Sequence, residues 1–263
     1  MKTSTTSADK AKKRLPLWAV IFWLMVWEVA ARWVANSIFL ASPLEALGRL
    51  SQLVLEAAFW QSVLFSLGHI MLGFVLSALL GVVLAALSYR FRLVRELLSP
   101  VAAAVKAVPV ASFVILLLLW LPSRQLSIII SLLIAFPVIY SNVLTGLDST
   151  DPKLIEMAKV FRVPFWKQLR AIYLHEVLPF LHTGLSIAIG LCWKSGIAAE
   201  VIGVPKGSIG EKLYQSKIYL ETADLFCWTL VIVLLSIGCE KLLKWCLKHV
   251  ERRALHAGSN QPE

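Results

Sequence analysis

The sequence lacks the motifs that define several large enzyme classes. No Gly-x-x-x-x-Gly-Lys-Ser/Thr phosphate loop occurs in its 263 residues, which excludes ATP hydrolysis by the usual phosphate-loop route. His-Glu-x-x-His and Gly-x-Ser-x-Gly are also absent, and the five histidines are scattered, so no zinc-protease or serine-hydrolase site is indicated. We therefore expect a chain that is not an enzyme and that carries no cofactor.

Charged residues and cysteines are scarce as well. Charged residues make up 16% of the chain and hydrophobic residues 58%, with a mean hydropathy of +0.74. A soluble domain cannot bury that much apolar surface, so the composition predicts one multi-spanning membrane domain. The cysteines lack metal-ligand spacing and nothing pairs them, so we expect no metal site and interpret all four as small core-facing or lipid-facing residues: Cys192, Cys227, Cys239 and Cys246.

Six apolar runs are long enough to cross a hydrocarbon core of ~30 Å, which takes about 20 residues in a helix. They predict helices at 15–35, 63–87, 97–121, 126–147, 177–201 and 225–247. Prolines inside the third and fourth runs predict kinks, whose freed backbone groups must be satisfied by neighbouring helices. The predicted fold class is therefore an all-α membrane protein with six transmembrane helices.

Lys and Arg are concentrated in connections that would lie on one side of the membrane. They cluster at the N-terminus, between the second and third helices, between the fourth and fifth helices, and at the C-terminus. The positive-inside rule places these connections in the cytoplasm, and the net charge of +10 is assigned to them, not to nucleic-acid binding. We predict a basic cytoplasmic N-terminus at 1–14, a transmembrane domain at 15–253 and a cytoplasmic tail at 254–263.

The connection between the fourth and fifth predicted helices has a helical pattern. Asp151 followed by Pro152 is a favourable helix start, because Asp caps free amides and Pro suits the first helical position. Apolar residues at helical spacing lie on both sides of a break at Val163 and Pro164. We predict a hairpin of two short amphipathic helices at 151–173. Their apolar faces pack on the bundle, lie among lipid headgroups or dock on a cytoplasmic partner.

The hairpin and several other segments together resemble a known family. Asp151 to Ala158, followed by Leu178-Pro179, resembles the loop of binding-protein-dependent ABC permeases that reads Glu-Ala-Ala, three residues, Gly and later Leu-Pro. The resemblance covers roughly residues 40–253. It includes Leu-Ala-Ser-Pro at 40–43, the small-residue helix at 62–81, Lys-Ala-Val-Pro at 106–109, Trp193 with Ala199-Glu200, and Gly-Ser-Ile-Gly at 207–210. The last two look like the nitrate, sulfonate and taurine-type branch.

The resemblance implies a fold and a set of partners. The fold is a type I importer-like permease in a bacterial cytoplasmic (inner) membrane, with both termini cytoplasmic and a coupling hairpin at 151–173. The implied partners are two ABC ATPase subunits, a second and identical permease copy, and an extracellular substrate-binding protein that delivers to residues 41–61 and 203–223. The implied ATPase-coupling residues are Glu156, Met157, Ala158, Phe161, Arg162 and Pro164.

Arg162 stands where the family has a glycine. That glycine normally ends the first short helix in a left-handed conformation, which costs other residues about 1 kcal/mol. Arg162 therefore predicts either a differently shaped turn, set by Pro164, or an ion pair with the partner.

Charged residues inside predicted membrane helices need water, an opposite charge or a ligand. Glu28 and Arg32 are four residues apart and are predicted to pair. Lys106 either snorkels to the membrane surface or lines the pathway, and Lys194 either pairs with Glu200, reaches water or lines the pathway. The candidate residues of the translocation path are Lys106, Pro109, Trp193, Lys194, Ser195 and Glu200.

A basic path favours a small anionic or polar organic solute, such as a sulfonate, nitrate or taurine-like compound. Two alternatives stay open at this point: an importer of a pyrimidine-type vitamin precursor, and a secondary transporter that works alone. A membrane hydrolase would need a nucleophile and a base at one depth, such as Ser66 or Ser77 with a histidine. The sequence offers no convincing pair of this kind.

Overall fold

The structure, a computed structural model, describes residues 17–34 and 39–259. The predicted N-terminus at 1–14, both ends of the first predicted helix and the last four residues of the predicted tail lie outside the described residues. All regular secondary structure in the described part is helical. The prediction of an all-α protein is therefore confirmed.

Eleven α-helices follow one another in the described residues. They are α1 Leu17–Val34, α2 Pro43–Leu53, α3 Ala57–Arg90, α4 Arg92–Ala107, α5 Val110–Leu117, α6 Leu126–Asp148, α7 Pro152–Val160, α8 Phe165–Gln168, α9 Leu174–Gly203, α10 Ile209–Ile218 and α11 Thr222–Ser259. A 3₁₀ turn at Ser123–Gln125 precedes α6, and a wider π-helical turn at Leu169–Tyr173 joins α8 to α9.

Three long helices, α3, α6 and α9, pack together to form the core. Their contacts are made through small residues. Gly73 of α3 lies against Ser131 of α6, and Gly196 of α9 lies against both Ser131 and Ile70 of α3. Small residues at such contacts let helix backbones approach closely, which is how helices associate where lipid removes the hydrophobic driving force.

The third predicted helix, 97–121, is corrected by the structure. α4 ends at Ala107 and α5 begins at Val110, and the two axes differ by 104°. Pro109 explains the break, because a residue before proline is driven out of the helical conformation, and Val108 is extended with ψ 133°. Lys106 and Pro109 therefore lie at a sharp bend, not inside a continuous helix.

The described residues contain four to five segments that are suited to crossing a membrane, compared with six predicted from the sequence. Four helices in the described residues are long and apolar enough to cross a membrane: Ala57–Arg90, Ser123–Asp148, Trp166–Gly203 and Thr222–His249. The bent pair of α4 and α5 would make a fifth if it forms one broken span. The count of six stays a prediction.

Glycines on the two sides of α3 give a matched test of this packing. A Cβ at Gly73 would lie 2.8 Å from Ser131 Cβ and against the backbone oxygen of Ile128, whereas a Cβ at Gly68 would meet nothing within 4 Å. We expect Gly73→Ala to lower stability by about 1–3 kcal/mol through overpacking. Gly68→Ala should instead raise stability by about 0.5–1 kcal/mol, because alanine is the better helix former. The melting temperature of the purified permease in lipid nanodiscs measures both, and equal melting of the two variants would contradict the packing.

Candidate functional site

The hairpin after α6 begins as the sequence predicts. The Asp151 side chain accepts a hydrogen bond from the Lys153 amide at 2.9 Å, and Pro152 occupies the first position of α7. The prediction of a helix start at these residues is therefore confirmed.

The turn that ends α7 differs from the prediction. Arg162 has φ 51°, so it adopts the left-handed conformation that the family glycine would supply. The Arg162 amide donates to the Lys159 carbonyl at 3.1 Å, and the Val163 amide donates to the Ala158 carbonyl at 2.9 Å. These two bonds form a complete Schellman motif, which satisfies the last carbonyls of the helix. The predicted change in turn shape is wrong: arginine takes the glycine geometry at a conformational cost.

The second half of the hairpin also differs from the prediction. The Lys167 and Gln168 amides both donate to the Pro164 carbonyl, which starts α8. From there the helix continues through the π turn into α9, so Trp166–Gly203 forms one helical rod of 38 residues. The predicted second short helix is therefore the first part of the fifth long helix and not a separate element.

Most of the predicted coupling residues are exposed. Phe161 is 74% exposed and Met157 is 50% exposed, and Glu156, Arg162 and Pro164 are exposed too. Two further apolar side chains, Val160 and Trp166, are each 77% exposed. Ala158 is the exception, because it is buried under the hairpin. In the described part of the chain the hairpin thus presents several large apolar side chains at its surface, and sequence reasoning missed Val160 and Trp166.

Lys106 and Pro109 are both exposed at the bend between α4 and α5. The Lys106 ammonium donates to Ser141 Oγ of α6 at 3.2 Å. Lys106 is thus held beside α6 by a neutral partner.

The three consecutive residues at 193–195 face different surroundings. Lys194 is exposed at the surface of the single chain and has no hydrogen-bond or ion-pair partner among the described residues. Trp193 is buried in the core, and the Ser195 hydroxyl donates to the Leu191 carbonyl at 2.8 Å within α9. The structure therefore does not bring these three side chains together on one surface.

Glu200 is fully buried and does not pair with Lys194. Glu200 Oε2 accepts from Ser66 Oγ of α3 at 2.6 Å and from the Gly210 amide at 3.3 Å. Ser66 Oγ in turn accepts from the Ile209 amide at 2.9 Å. Glu200 thus joins α9, α3 and the first amides of α10. Sequence reasoning placed Glu200 and Gly210 in the same resemblance but missed Ser66, because no short motif contains residues 134 positions apart.

The described residues form helices only, and several of these helices are long and apolar enough for a membrane-embedded protein. Residues 77–256 match the family described as binding-protein-dependent transport system inner membrane component. That match spans more than half of the chain, so the chain belongs to this family. The resemblance seen in the sequence is confirmed, and the protein is an ABC importer permease by family.

Several relatives of known name cover nearly the whole chain. The putative aliphatic sulfonates transport permease protein SsuC of Bacillus subtilis (strain 168) is 26% identical over 89% of this chain and 87% of its own length. The taurine transport system permease protein TauC of Escherichia coli (strain K12) is 26% identical over 86% and 83%. The bicarbonate transport system permease protein CmpB of Synechococcus elongatus is 24% identical over 90% and 89%. These names agree with the nitrate, sulfonate and taurine-type branch.

A solved structure supports the fold. The crystal structure of an amino acid ABC transporter with histidines matches with a TM-score of 0.58 at 17% identity, covering 78% of this chain and 97% of that chain. At this identity the match shows the fold alone.

The left-handed turn at Arg162 can be tested directly. Arg162→Gly should stabilise the closed turn by about 1 kcal/mol, because glycine adopts positive φ without steric cost. The exchange of the Val163 amide with deuterium, measured by mass spectrometry on the hairpin peptide, should slow about fivefold. Arg162→Ala is the control, since it removes the charge but keeps a Cβ. Equal slowing in both variants would show that charge and not backbone geometry sets the stability of the turn.

Proposed function

We propose that this chain forms the substrate translocation path of an ATP-driven importer and that separate ATPase subunits drive it through the hairpin. The observation that carries the proposal is the group of exposed apolar side chains on α7 and the following turn, above all Phe161 and Met157. Exposed aromatic and apolar groups of this size mark contact sites for another protein. In a member of a binding-protein-dependent transport family, the partner at such a hairpin is the ATPase.

The position of the hairpin supports a cytoplasmic docking site. Arg95 at the start of α4 donates to the Asp148 carboxylate at the end of α6, at 2.8 Å and 3.2 Å. Tyr89 of α3 lies edge-on to Tyr173, with ring centroids 5.9 Å apart. The α3–α4 connection and the hairpin, which are both rich in Lys and Arg, therefore lie at the same end of the bundle. The positive-inside rule requires this arrangement if that end is cytoplasmic. We propose that both termini are on this side.

Two identical permease copies would enclose the path between them. Lys106 and Lys194 are exposed in the single chain, which suits residues that face a shared cavity between two copies. Intramembrane charges are costly against lipid, so an exposed and unpaired Lys194 favours a watery path over a lipid-facing position.

The helical rod from Trp166 to Gly203 provides a direct route for coupling. It carries hairpin residues at one end, Lys194 further along, and Glu200 near the other end. A shift of the hairpin when the ATPase subunits close would move all of these residues together, because a packed helix transmits displacement with little compression. Switching between outward and inward access would then be a movement of packed elements between two arrangements.

The substrate is proposed to be a small anionic or polar organic solute. Lys194 has no partner among the described residues and is therefore available to an anion. The relatives named for sulfonates, taurine and bicarbonate support the same class, since each of these solutes carries a negative group. An extracellular binding protein would deliver the solute to residues 41–61 and 203–223.

The coupling role predicts the effect of truncating the hairpin surface. Glu156→Ala combined with Phe161→Ala should lower uptake about tenfold or more while the permease stays folded and inserted, because a central aromatic anchor contributes about 2 kcal/mol or more to an interface. Uptake and ATPase stimulation are measured in proteoliposomes. Trp120→Ala is the control, because Trp120 is 71% exposed but precedes α6, at the end opposite the hairpin. Normal uptake and normal stimulation in the double variant would refute ATPase docking here.

The charge of Lys194 predicts a graded effect on uptake. Lys194→Gln should slow uptake of an anionic solute roughly tenfold, since a hydrogen bond to a charged group contributes about 1.5 kcal/mol or more. Lys194→Arg should retain more uptake because it keeps the charge. Lys241→Gln, an exposed position on α11, controls for net charge. If Lys194→Gln transports at the wild-type rate, the charge does not serve the substrate.

A further inference from the structure

A polar cavity of about 300 Å³ opens where the two proposed outer segments meet. α2 and the start of α3 form one wall, and α10 with the start of α11 forms the other. The floor is aromatic: Phe59 and Trp228 are buried and stacked, with ring centroids 5.0 Å apart. The structure thus joins segments 41–61 and 203–223, far apart in sequence, around one opening.

One ion pair in the cavity is already complete. Arg49 Nε lies 2.5 Å from Asp224 Oδ1, and Arg49 Nη2 lies 3.2 Å from Asp224 Oδ2. The side-chain hydrogen bond with Asp224 raises the pKa of Arg49 above its ordinary value. This two-point pair stays charged and occupies both partners, and Glu56 and Glu221 act on Arg49 only through weaker electrostatic attraction.

The remaining charged groups of the cavity leave an excess of negative charge. Glu56 and Glu221 line it and are exposed, and the side chain of neither has a hydrogen-bond or ion-pair partner in the described part of the chain. Lys212 is the remaining cation on the wall. Beyond the Arg49–Asp224 pair, two carboxylates therefore face one ammonium group.

We propose that this cavity receives a lysine or arginine side chain of the binding protein that delivers the solute. The inference rests on the proposed function, because it requires a delivering protein on this side of the membrane. The aliphatic stem of the basic side chain would pack over Phe59 and Trp228, and its charged end would reach Glu56 and Glu221. The cavity is large enough for one such side chain, and complementary charge at an interface sets orientation and association rate.

The charge of the cavity argues against the transported solute as its occupant. The excess of carboxylates would repel the anionic solute that Lys194 is proposed to attract. The same charges attract a cationic side chain, which a protein partner can insert from a fixed position. The cavity and Lys194 therefore bind different molecules: the cavity positions the delivering protein, and Lys194 contacts the solute.

The test measures binding of the solute-binding protein that supports uptake by this permease to the complete permease–ATPase complex in nanodiscs. Glu56→Gln and Glu221→Gln should each weaken binding about tenfold at low salt, and the difference should shrink at high salt. Lys212→Gln should strengthen binding, because it removes the competing cation. Lys217→Gln is the matched control: it lies on the same helix and changes net charge equally, but it does not line the cavity. Unchanged melting temperatures would show that the four substitutions do not affect folding.

Three results would overturn the proposal in distinguishable ways. If both glutamate variants bind the delivering protein as tightly as wild type does, the cavity does not receive its side chain, while the proposed importer function still stands. Failure of the wild-type complex to bind the delivering protein at all would refute delivery, and this inference with it. Binding of the free solute to the complex without the delivering protein, lost in Glu56→Gln and Glu221→Gln, would show that the cavity is a solute site instead. A charge reversal, Glu221→Lys, rescued by a basic-to-acidic change in the binding protein, would identify the inserted side chain.

Discussion

The close approach of α3, α6 and α9 is the constraint on which the other elements depend. In lipid, helices satisfy their own backbone groups but gain little from apolar side chains alone, so they must pack by shape. Gly73 and Gly196 supply that shape by leaving room for Ser131 and Ile70 of the neighbouring helices. The hairpin is held between the end of α6 and the start of α9, and α10 is tied to α3 through Glu200. Each proposed functional surface is therefore attached to this core.

Glu200 shows how the core reaches the outer surface. Its carboxylate is buried and accepts from Ser66 Oγ and from the Gly210 amide of α10, so the position of α10 follows that of α9. Only the second half of the hairpin, from Trp166 onward, belongs to the same helical rod as Glu200, and the cavity is lined by α10. If ATPase subunits dock on the hairpin as proposed, a displacement there would reach α10 and the cavity through this rod and the Glu200 carboxylate. A buried carboxylate with few alternative partners suits this connection, because breaking it leaves polar groups unpaired.

Local features of the fold could be predicted from the sequence, whereas long-range contacts could not. The apolar runs located the long helices, Asp151 with Pro152 located the start of α7, and the Glu28–Arg32 pair follows from spacing alone, at 2.8 Å. The prolines inside the third apolar run signalled a kink but not its angle, which depends on the packing of α5 against α6 and α9. The partner of Glu200 and the walls of the cavity come from distant segments. No local pattern records such contacts.

Three residues that follow helix ends have a backbone conformation that their own side chains disfavour. Arg162, Val204 and Leu220 all have positive φ, and they follow the ends of α7, α9 and α10. Glycine would adopt this conformation freely. Positive φ is uncommon in other residues and is rarest in β-branched ones such as Val204. Such strain persists only where the surrounding structure fixes the chain. At Val204 the chain is fixed by the hydrogen bond that its amide donates to the Glu200 carbonyl at 2.8 Å and by the buried Pro205 that follows. At Val204 local preference alone would end the helix differently, so the packed core imposes this conformation, whereas the exposed turn at Arg162 is closed by its own Schellman hydrogen bonds.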